Sequence, residues 1–214
     1  LYEGAIRRVV HRLEGATHLQ ASPSADDLPW SWQPRAIHLA PMPFDHQVRL
    51  ADDVRSRIAQ DPLLTLDPFE LLTPTNLDHW QNLTSKIDLL FLSQDEMASA
   101  PTRLDPLPVL HQLLGRRLGL IFYKQGSRGG IAVRTPSDRL AWTARASQVR
   151  DVTGAGDAFA AGVLAGLLQK QALERALEWG VVSASFAIQD QGARGLLEAD
   201  PEAARGRLHD WFGS

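Results

Sequence analysis

The chain contains no cysteine, which excludes disulfides and thiolate metal sites and fits a reducing compartment. No apolar run approaches the roughly 18 residues that a membrane-spanning helix needs, and no signal-peptide pattern is visible. An excess of either charge is missing as well. The net charge is -3 and the sequence pI is about 6.2, so neither nucleic acid nor a membrane surface is an expected partner. No Gly-x4-Gly-Lys-Ser/Thr run occurs, which excludes a P-loop. The seven histidines are scattered without metal-ligand spacing, and His38 and His46 read as structural or surface groups. Repeats and low-complexity tails are absent. Position 1 is leucine rather than methionine, which suggests an excised or truncated piece, or a processed product.

What is present is ordinary in bulk and informative in order. A chain of 214 residues with 44% hydrophobic and 22% charged residues has the composition of a soluble globular protein. From Arg35 onward, short apolar runs alternate with helical patterns. The expected strands are Ala36 to Ala40, Leu63 to Asp67, Ile87 to Leu92 and Gly119 to Lys124, then Ile131 to Arg134 and Leu140 to Ala144. Helices are expected over Val48 to Gln60, Leu77 to Leu83 and Val109 to Arg117, with Pro101 to Pro108 as a loop. Such alternation argues for a parallel sheet covered on both faces, with binding groups at the carboxyl ends of its strands. Residues 1–20 read as short extended pieces, Ile6 to His11 and Ala16 to Leu19. Ser22 to Pro34 reads as a loop, with Trp30 and Trp32 expected to pack under it rather than to stack on a ligand.

The chain is organised around Asp151-Val152-Thr153-Gly154-Ala155-Gly156-Asp157-Ala158-Phe159, which runs into an apolar helical segment. The first N–H groups of a helix lack intrahelical partners and sit at the positive end of its dipole, so nearly bare backbone at such an end is an anion site. Phe159 stands where a dinucleotide fingerprint needs glycine or alanine. Asp157 sits inside this cradle, where a carboxylate repels phosphate unless it has a task such as taking a proton from a hydroxyl. The plain alternative is a Gly-rich turn capped by Asp157. Beyond it, Gly162 and Gly166 make the helix slim enough to pack closely on a sheet. A second long helix is expected from Leu173 to Ile188, and a terminal one from Asp200-Pro201.

Asp151 to Asp157 resembles the C-terminal signature of the ribokinase-like, or PfkB-type, carbohydrate kinases. The resemblance implies an α/β fold, three-layered and doubly wound, with a mostly parallel sheet and helices on both faces. It implies one domain over residues 1–214, in which 1–34 are remnants of a lid or edge strands and 35–214 form a nucleotide-binding core. A further N-terminal portion, carrying the first strand, part of the lid and a sugar-contacting glycine pair, precedes this stretch in the family. The implied activity is transfer of the γ-phosphate of ATP to a hydroxyl of a sugar or related small molecule. Asp157 is then the base, and Gly154, Ala155 and Gly156 are the anion hole.

The resemblance also assigns lesser sites. After the third strand, Glu96 of Ser93-Gln94-Asp95-Glu96 fits the family's Asn-x-x-Glu motif and a magnesium outer shell, with Ser93 departing from the asparagine; Ser-x-x-Glu is equally a helix capping box. Gly126 and Gly129 match a Gly-x-x-Gly turn near the nucleotide phosphates and are equally a hairpin turn. Lys124 and Arg128 either face phosphate or are merely solvated. Thr153 belongs to the nucleotide site, and Asp151 and Thr153 match positions used for potassium in relatives. The small residues from Val182 to Ala187 and at Gly192-Ala193 resemble the region beside the adenine, and either admit a flat purine or are simply helix packing. The family's lids often dimerise, which makes a homodimer an expectation, and a cytoplasmic location goes with the class. A reading from another class is a non-catalytic nucleotide- or sugar-binding protein, or an inactive remnant of a kinase.

Overall fold

Four short apolar runs become parallel neighbours in one sheet. They are β3 (Ala36–Leu39), β4 (Leu63–Leu66), β5 (Leu89–Ser93) and β6 (Leu120–Lys124), and β7 (Gly130–Val133) and β8 (Arg139–Trp142) complete six strands in the order of the chain. This computed structural model describes residues 2–3, 6–7, 22–73, 75–97, 106–115, 117–135, 137–146 and 148–213. The register aligns Ala36 with Leu63, Thr65 with Leu89 and Leu89 with Leu120, all parallel. β7 then runs antiparallel to β6, with Gly130 opposite Lys124.

Three helices connect the parallel strands: α1 (Phe44–Arg57), α2 (Leu77–Thr84) and α3 (Leu107–Leu113). Parallel crossovers are right-handed, so strands added in one direction place all three helices on the same face. One cluster accordingly joins Leu50, Ala51 and Val54 of α1, Trp80 and Leu83 of α2 and Leu110 and Leu113 of α3 to Leu64, Leu66, Leu90, Leu92, Ile121 and Tyr123 of the sheet. The intervening side chains point the other way, as the period of two requires. They include Thr65, Phe91 and Phe122, which are fully buried. The Phe91 and Phe122 rings stack at 4.6 Å, and His38 meets Phe91 edge-on at 5.8 Å.

The helix edges shift from the expected ones for local reasons. α1 begins directly after Pro43 rather than at Val48, with Asp45 in its first turn, where a carboxylate complements the dipole. It stops at Arg57 because Ile58 leaves the helical path for an extended conformation, φ -103° and ψ 104°. α3 takes in Pro108, because a first-turn proline forfeits no hydrogen bond. Trp30 packs as expected: its Nε1 donates to the Ala25 carbonyl at 2.7 Å and the Arg57 guanidinium lies over its ring. Trp32 instead is 68% exposed. The expected extended pieces at 8–11 and 16–19 lie outside the described residues, as does most of the 101–108 loop.

The chain divides into two compact units. The sheet and its three helices belong to the unit of residues 13–126 and 130–141. The other unit is residues 1–12, 127–129 and 142–214. It contains an antiparallel pair, β1 (Tyr2–Glu3) with β2 (Ile6–Arg7). It also contains α4 (Ala155–Leu168), α5 (Leu173–Ala187), the single turn α6 (Arg194–Leu197) and α7 (Pro201–Phe212). Here the glycines of α4 find a different partner from the sheet proposed above. A Cβ on Gly162 would lie 2.5 Å from the Trp179 carbonyl oxygen, and one on Gly166 would lie 2.8 Å from the Ala176 Cα. Both glycines therefore let α5 come close. Gly180 of α5 reciprocates, since a Cβ there would meet Val163 at 2.6 Å and Phe159 at 2.9 Å. Two interior glycines in α4 forgo about 1 kcal/mol each in helix propensity, and the close backbone contact is what they gain. α7 closes the far side of α5 through Val182, Phe186 and Leu208, with Trp179 and Trp211 alongside.

Candidate active site

The signature is fixed from its own first residue. Asp151 accepts from the Thr153 N–H through Oδ1 at 2.8 Å, an Asx-type turn, and from the Gly192 N–H through Oδ2 at 3.2 Å. Its backbone is held as well: the N–H groups of Arg150 and Asp151 both donate to the Ile188 carbonyl, at 2.8 and 3.3 Å. The chain then turns through Gly154 at φ 79°, a left-handed conformation, and α4 begins. Nothing lies within 4 Å of where a Gly154 Cβ would stand. The glycine is thus required by its dihedral rather than by crowding, and the space on that side is open.

The start of α4 carries no side-chain cap. The Ala155 N–H reaches the Val152 carbonyl at 3.3 Å and the Ala158 N–H reaches the Gly154 carbonyl at 2.9 Å. Among the described residues no acceptor meets the N–H groups of Gly156 and Asp157. Gly154, Ala155 and Gly156 are half-buried, the Asp157 side chain is exposed, and Ala158 and Phe159 beyond it are buried. The helix therefore presents unpaired donors and one exposed carboxylate at its positive end, while its next turn is packed. Phe159 stacks on Trp142 of the same unit at 5.0 Å.

The carboxyl edge of the sheet holds the second group of expected site residues. Ser93 and Lys124 end adjacent strands and are register partners. The Glu96 carboxylate turns back to accept from the Ser93 N–H at 2.6 Å through Oε2, while the Glu96 N–H donates to the Ser93 carbonyl at 3.2 Å. This is the glutamate half of a capping box, with the Ser93 backbone carbonyl in place of its hydroxyl as the other acceptor, and it closes a turn after a strand. No donor among the described residues meets Oε1, so one oxygen remains that suits a metal-bound water. Lys124 is not merely solvated: its ammonium is paired with the buried Asp67 carboxylate, both side chains being under 15% exposed. Gln47 supports that corner, donating to the Ala40 and Asp67 carbonyls at 3.0 and 2.8 Å.

Gly126–Arg128 is a single 3-10 turn that, with Gly129, closes the β6–β7 hairpin, so the hairpin part of its reading holds. Gly126 and Gly129 both have positive φ, 59° and 88°. A Cβ on Gly129 would stand 2.0 Å from the Trp142 carbonyl oxygen, which no side chain tolerates. Contiguous sequence thus brings Asp151, Thr153, Gly154, Ala155, Gly156 and Asp157 together in one unit. Glu96, Lys124 and Gly126 gather at the sheet's carboxyl edge in the other.

Residues 63–200 match the pfkB family carbohydrate kinase, a stretch that contains every residue of both groups. The chain belongs to this family. The chain is 28% identical over 116 residues to an ATP-dependent 6-phosphofructokinase of Thermoanaerobacterium thermosaccharolyticum, covering 54% of this chain and 36% of that protein. It is 28% identical over 127 residues to an acarbose 7(IV)-phosphotransferase of an Actinoplanes species, covering 57% and 42%. Its fold is similar to Arabidopsis thaliana ribokinase complexed with ribose and ATP, with a TM-score of 0.65 and 21% identity over 81% of this chain and 55% of that one. A putative ribokinase II from E. coli, in complex with ATP and magnesium, gives a TM-score of 0.69 at 15% identity over 87% and 63%. The six-stranded, mostly parallel sheet with its helices is the ribokinase-like α/β fold. The chain spans about two fifths of the length of the curated relatives it matches. No helix among the described residues is long and apolar enough to cross a membrane.

Reading the pfkB signature alone misses Asp67, which holds Lys124, and Arg207, which reaches the end of α5 from α7. Asp67 follows a strand as Glu96 does, and that position is a usable signal. Arg207 has none, because nothing in a helical pattern tells which arginine turns inward.

Proposed function

We propose that the chain carries the phosphate-handling part of a kinase that transfers the γ-phosphate of ATP to an alcohol of a sugar or related small molecule. The single observation behind this reading is the start of α4: unpaired N–H groups at Gly156 and Asp157 beside an exposed carboxylate, with Gly154 left-handed and uncapped. Phosphoryl transfer asks for positioning and charge stabilisation rather than covalent help. The cradle at Gly154 to Gly156, with the unpaired N–H groups of Gly156 and Asp157 as donors, stabilises charge on the migrating phosphoryl group without reorganising. Asp157 takes the proton of the attacking hydroxyl as its oxygen bonds to phosphorus and the bond to the ADP oxygen breaks. Lys124 is held by Asp67, so it is not a free phosphate hook. Glu96 would hold, through Oε1, a water of a magnesium ion bound with the nucleotide, and that ion would supply charge neutralisation of the phosphate oxygens. The sugar guess rests on the pfkB family and on relatives that are phosphotransferases.

The test is Asp157→Asn in the full-length chain, read by ADP release across sugars, nucleosides and other small alcohols and by ATP binding. Turnover is expected to fall by a factor on the order of 10²–10⁴, the usual contribution of a general base, with ATP affinity near native. Undiminished turnover rules out Asp157 as base. ATP binding with no turnover on any acceptor, in the native chain too, favours a non-catalytic binding protein.

A further inference from the structure

Arg207 lies on α7 yet spends its hydrogen bonds on α5. Its NH1 donates to Ser185 Oγ at 2.6 Å and its NH2 to Gln189 Oε1 at 2.5 Å. The guanidinium sits 3.7 Å from the centroid of Phe186 and 5.6 Å from that of Trp211. Among the described residues no carboxylate pairs with it. Ser185 is fully buried, and its own hydroxyl donates to the Val182 carbonyl at 2.6 Å, so its oxygen is oriented to accept from Arg207. Burial lowers the guanidinium below its ordinary pKa. A half-buried cation without an anion is a poor way to join two helices. It is a good way to fix one helix end, because a cation beside the last carbonyls opposes the negative end of the dipole.

That helix end carries the signature. α5 stops at Ile188, whose N–H still bonds to the Ala184 carbonyl at 3.2 Å. The next residue is Gln189, clasped by Arg207. The Ile188 carbonyl receives the N–H groups of both Arg150 and Asp151. Gly192, three residues after Gln189, donates to the Asp151 carboxylate, whose other oxygen receives the Thr153 N–H. Thr153 directly precedes the left-handed Gly154. α6 presses on the same end: a Cβ on Gly195 would stand 2.1 Å from the Phe186 carbonyl oxygen. Every bond between Arg207 and the cradle lies in one unit.

We infer that Arg207 is a positioning residue, setting the phosphate cradle through Gln189, Ile188 and Asp151. The inference rests on reading that segment as the cradle, but its test does not depend on turnover. Hydrogen–deuterium exchange of the full-length chain is compared between native protein and Arg207→Met, which keeps an apolar stem over Phe186. Losing a charged hydrogen-bonded clasp should open residues 148–157 roughly tenfold more often. Residues 159–168 should keep native protection and the urea midpoint should hardly move. Arg207→Lys keeps the charge but loses the fork, and should show the same local pattern at smaller amplitude. Faster exchange confined to residues 201–212 overturns the inference. So does uniform acceleration across 148–213 with a lower midpoint, since Arg207 would then act only through overall stability. If Arg207→Met does not fold, Arg207→Lys alone decides between these patterns. Asp157→Asn serves as the control, losing turnover with native exchange at 148–153. If it keeps full turnover, the base assignment fails while the exchange pattern of Arg207→Met still stands or falls by itself.

Discussion

Two helices of the same unit, α4 and α7, begin in opposite ways. α7 starts from Asp200, whose carboxylate accepts from the Glu202 N–H at 3.2 Å, with Pro201 in the first turn. One orphan donor is satisfied there and another is never made. α4 starts from a left-handed glycine that has no side chain to offer. A missing cap forgoes about 0.5–2 kcal/mol, and placing the chain's one exposed signature carboxylate beside the bare amides does not recover it by hydrogen bonding. A helix start that is left open in this way is shaped by what approaches it. The contrast separates residues that hold the fold from residues that hold a ligand, and substitutions at the two ends should respond differently.

The largest effect is expected from the same chemical change made at both ends. Asp157→Asn should lower turnover by the factor on the order of 10²–10⁴ given above, with little change in urea midpoint. Asp200→Asn, by contrast, keeps an equally good cap and should leave both nearly native. A large stability loss in Asp157→Asn would erase the distinction between the two helix starts, because the acid's charge would then be holding the fold at the positive end of α4.

Next come two glycine-to-alanine changes, which should differ in sign. Gly162→Ala in α4 drives a Cβ to 2.5 Å from a backbone oxygen of α5, and backbone gives way poorly. Overpacking of this kind costs about 1–3 kcal/mol, which exceeds the propensity gain of about 1 kcal/mol. Gly206→Ala in α7 meets nothing within 4 Å and should stabilise by about 0.5–1 kcal/mol. Chemical denaturation of the two variants measures both. Equal signs would mean that the α4–α5 contact relaxes and is not the close seam described.

How far these features can be read from sequence depends on how local they are. The parallel strands are short apolar runs, those at β3 and β4 bounded by Pro41, Pro62 and Pro68, and composition with punctuation suffices to place them. The signature is legible for the same reason: Asp151 to Asp157 is contiguous, and its turn is made by its own glycine. The slimness of α4 is legible too, but its partner is not. Small residues say that something comes close, and only the fold says that it is α5. The Lys124–Asp67 pair joins residues 57 apart in sequence, and the Arg207–Ser185 bond joins residues 22 apart. Each depends on strand order or helix crossing, which no spacing rule encodes. Glu96 lies between these cases, since Ser-x-x-Glu predicts the bond to Ser93 but not which oxygen stays open.

A smaller loss is expected from Asp200→Ala, about 1 kcal/mol by the usual worth of an N-cap, with turnover unchanged because α7's first turn lies outside the cradle segment. Equilibrium unfolding gives the first number and ADP release the second. A fall in turnover matching that of Asp157→Asn would show that α7's start reaches the reaction, and the division between structural and ligand-facing helix ends would need redrawing.

The smallest effect concerns a third turn, where a carboxylate is bonded as Asp157's is not. Asp27 accepts from both the N–H and the hydroxyl of Ser24, at 2.8 and 2.7 Å. Those two bonds, the backbone one first, hold its carboxyl below the ordinary value. A carboxylate with a lowered folded pKa contributes stability that is fully present above its unfolded pKa of about 3.9 and is lost as pH falls through the folded value. Asp27→Asn should therefore have a slightly lower urea midpoint than native protein at neutral pH, and the two curves should converge below about pH 4. Because the group is on the surface, added salt should narrow the gap as well. A gap that persists unchanged in acid would mean that the substitution removes packing and not a charged acceptor, and the turn would then resemble the start of α4 in owing nothing to its carboxylate.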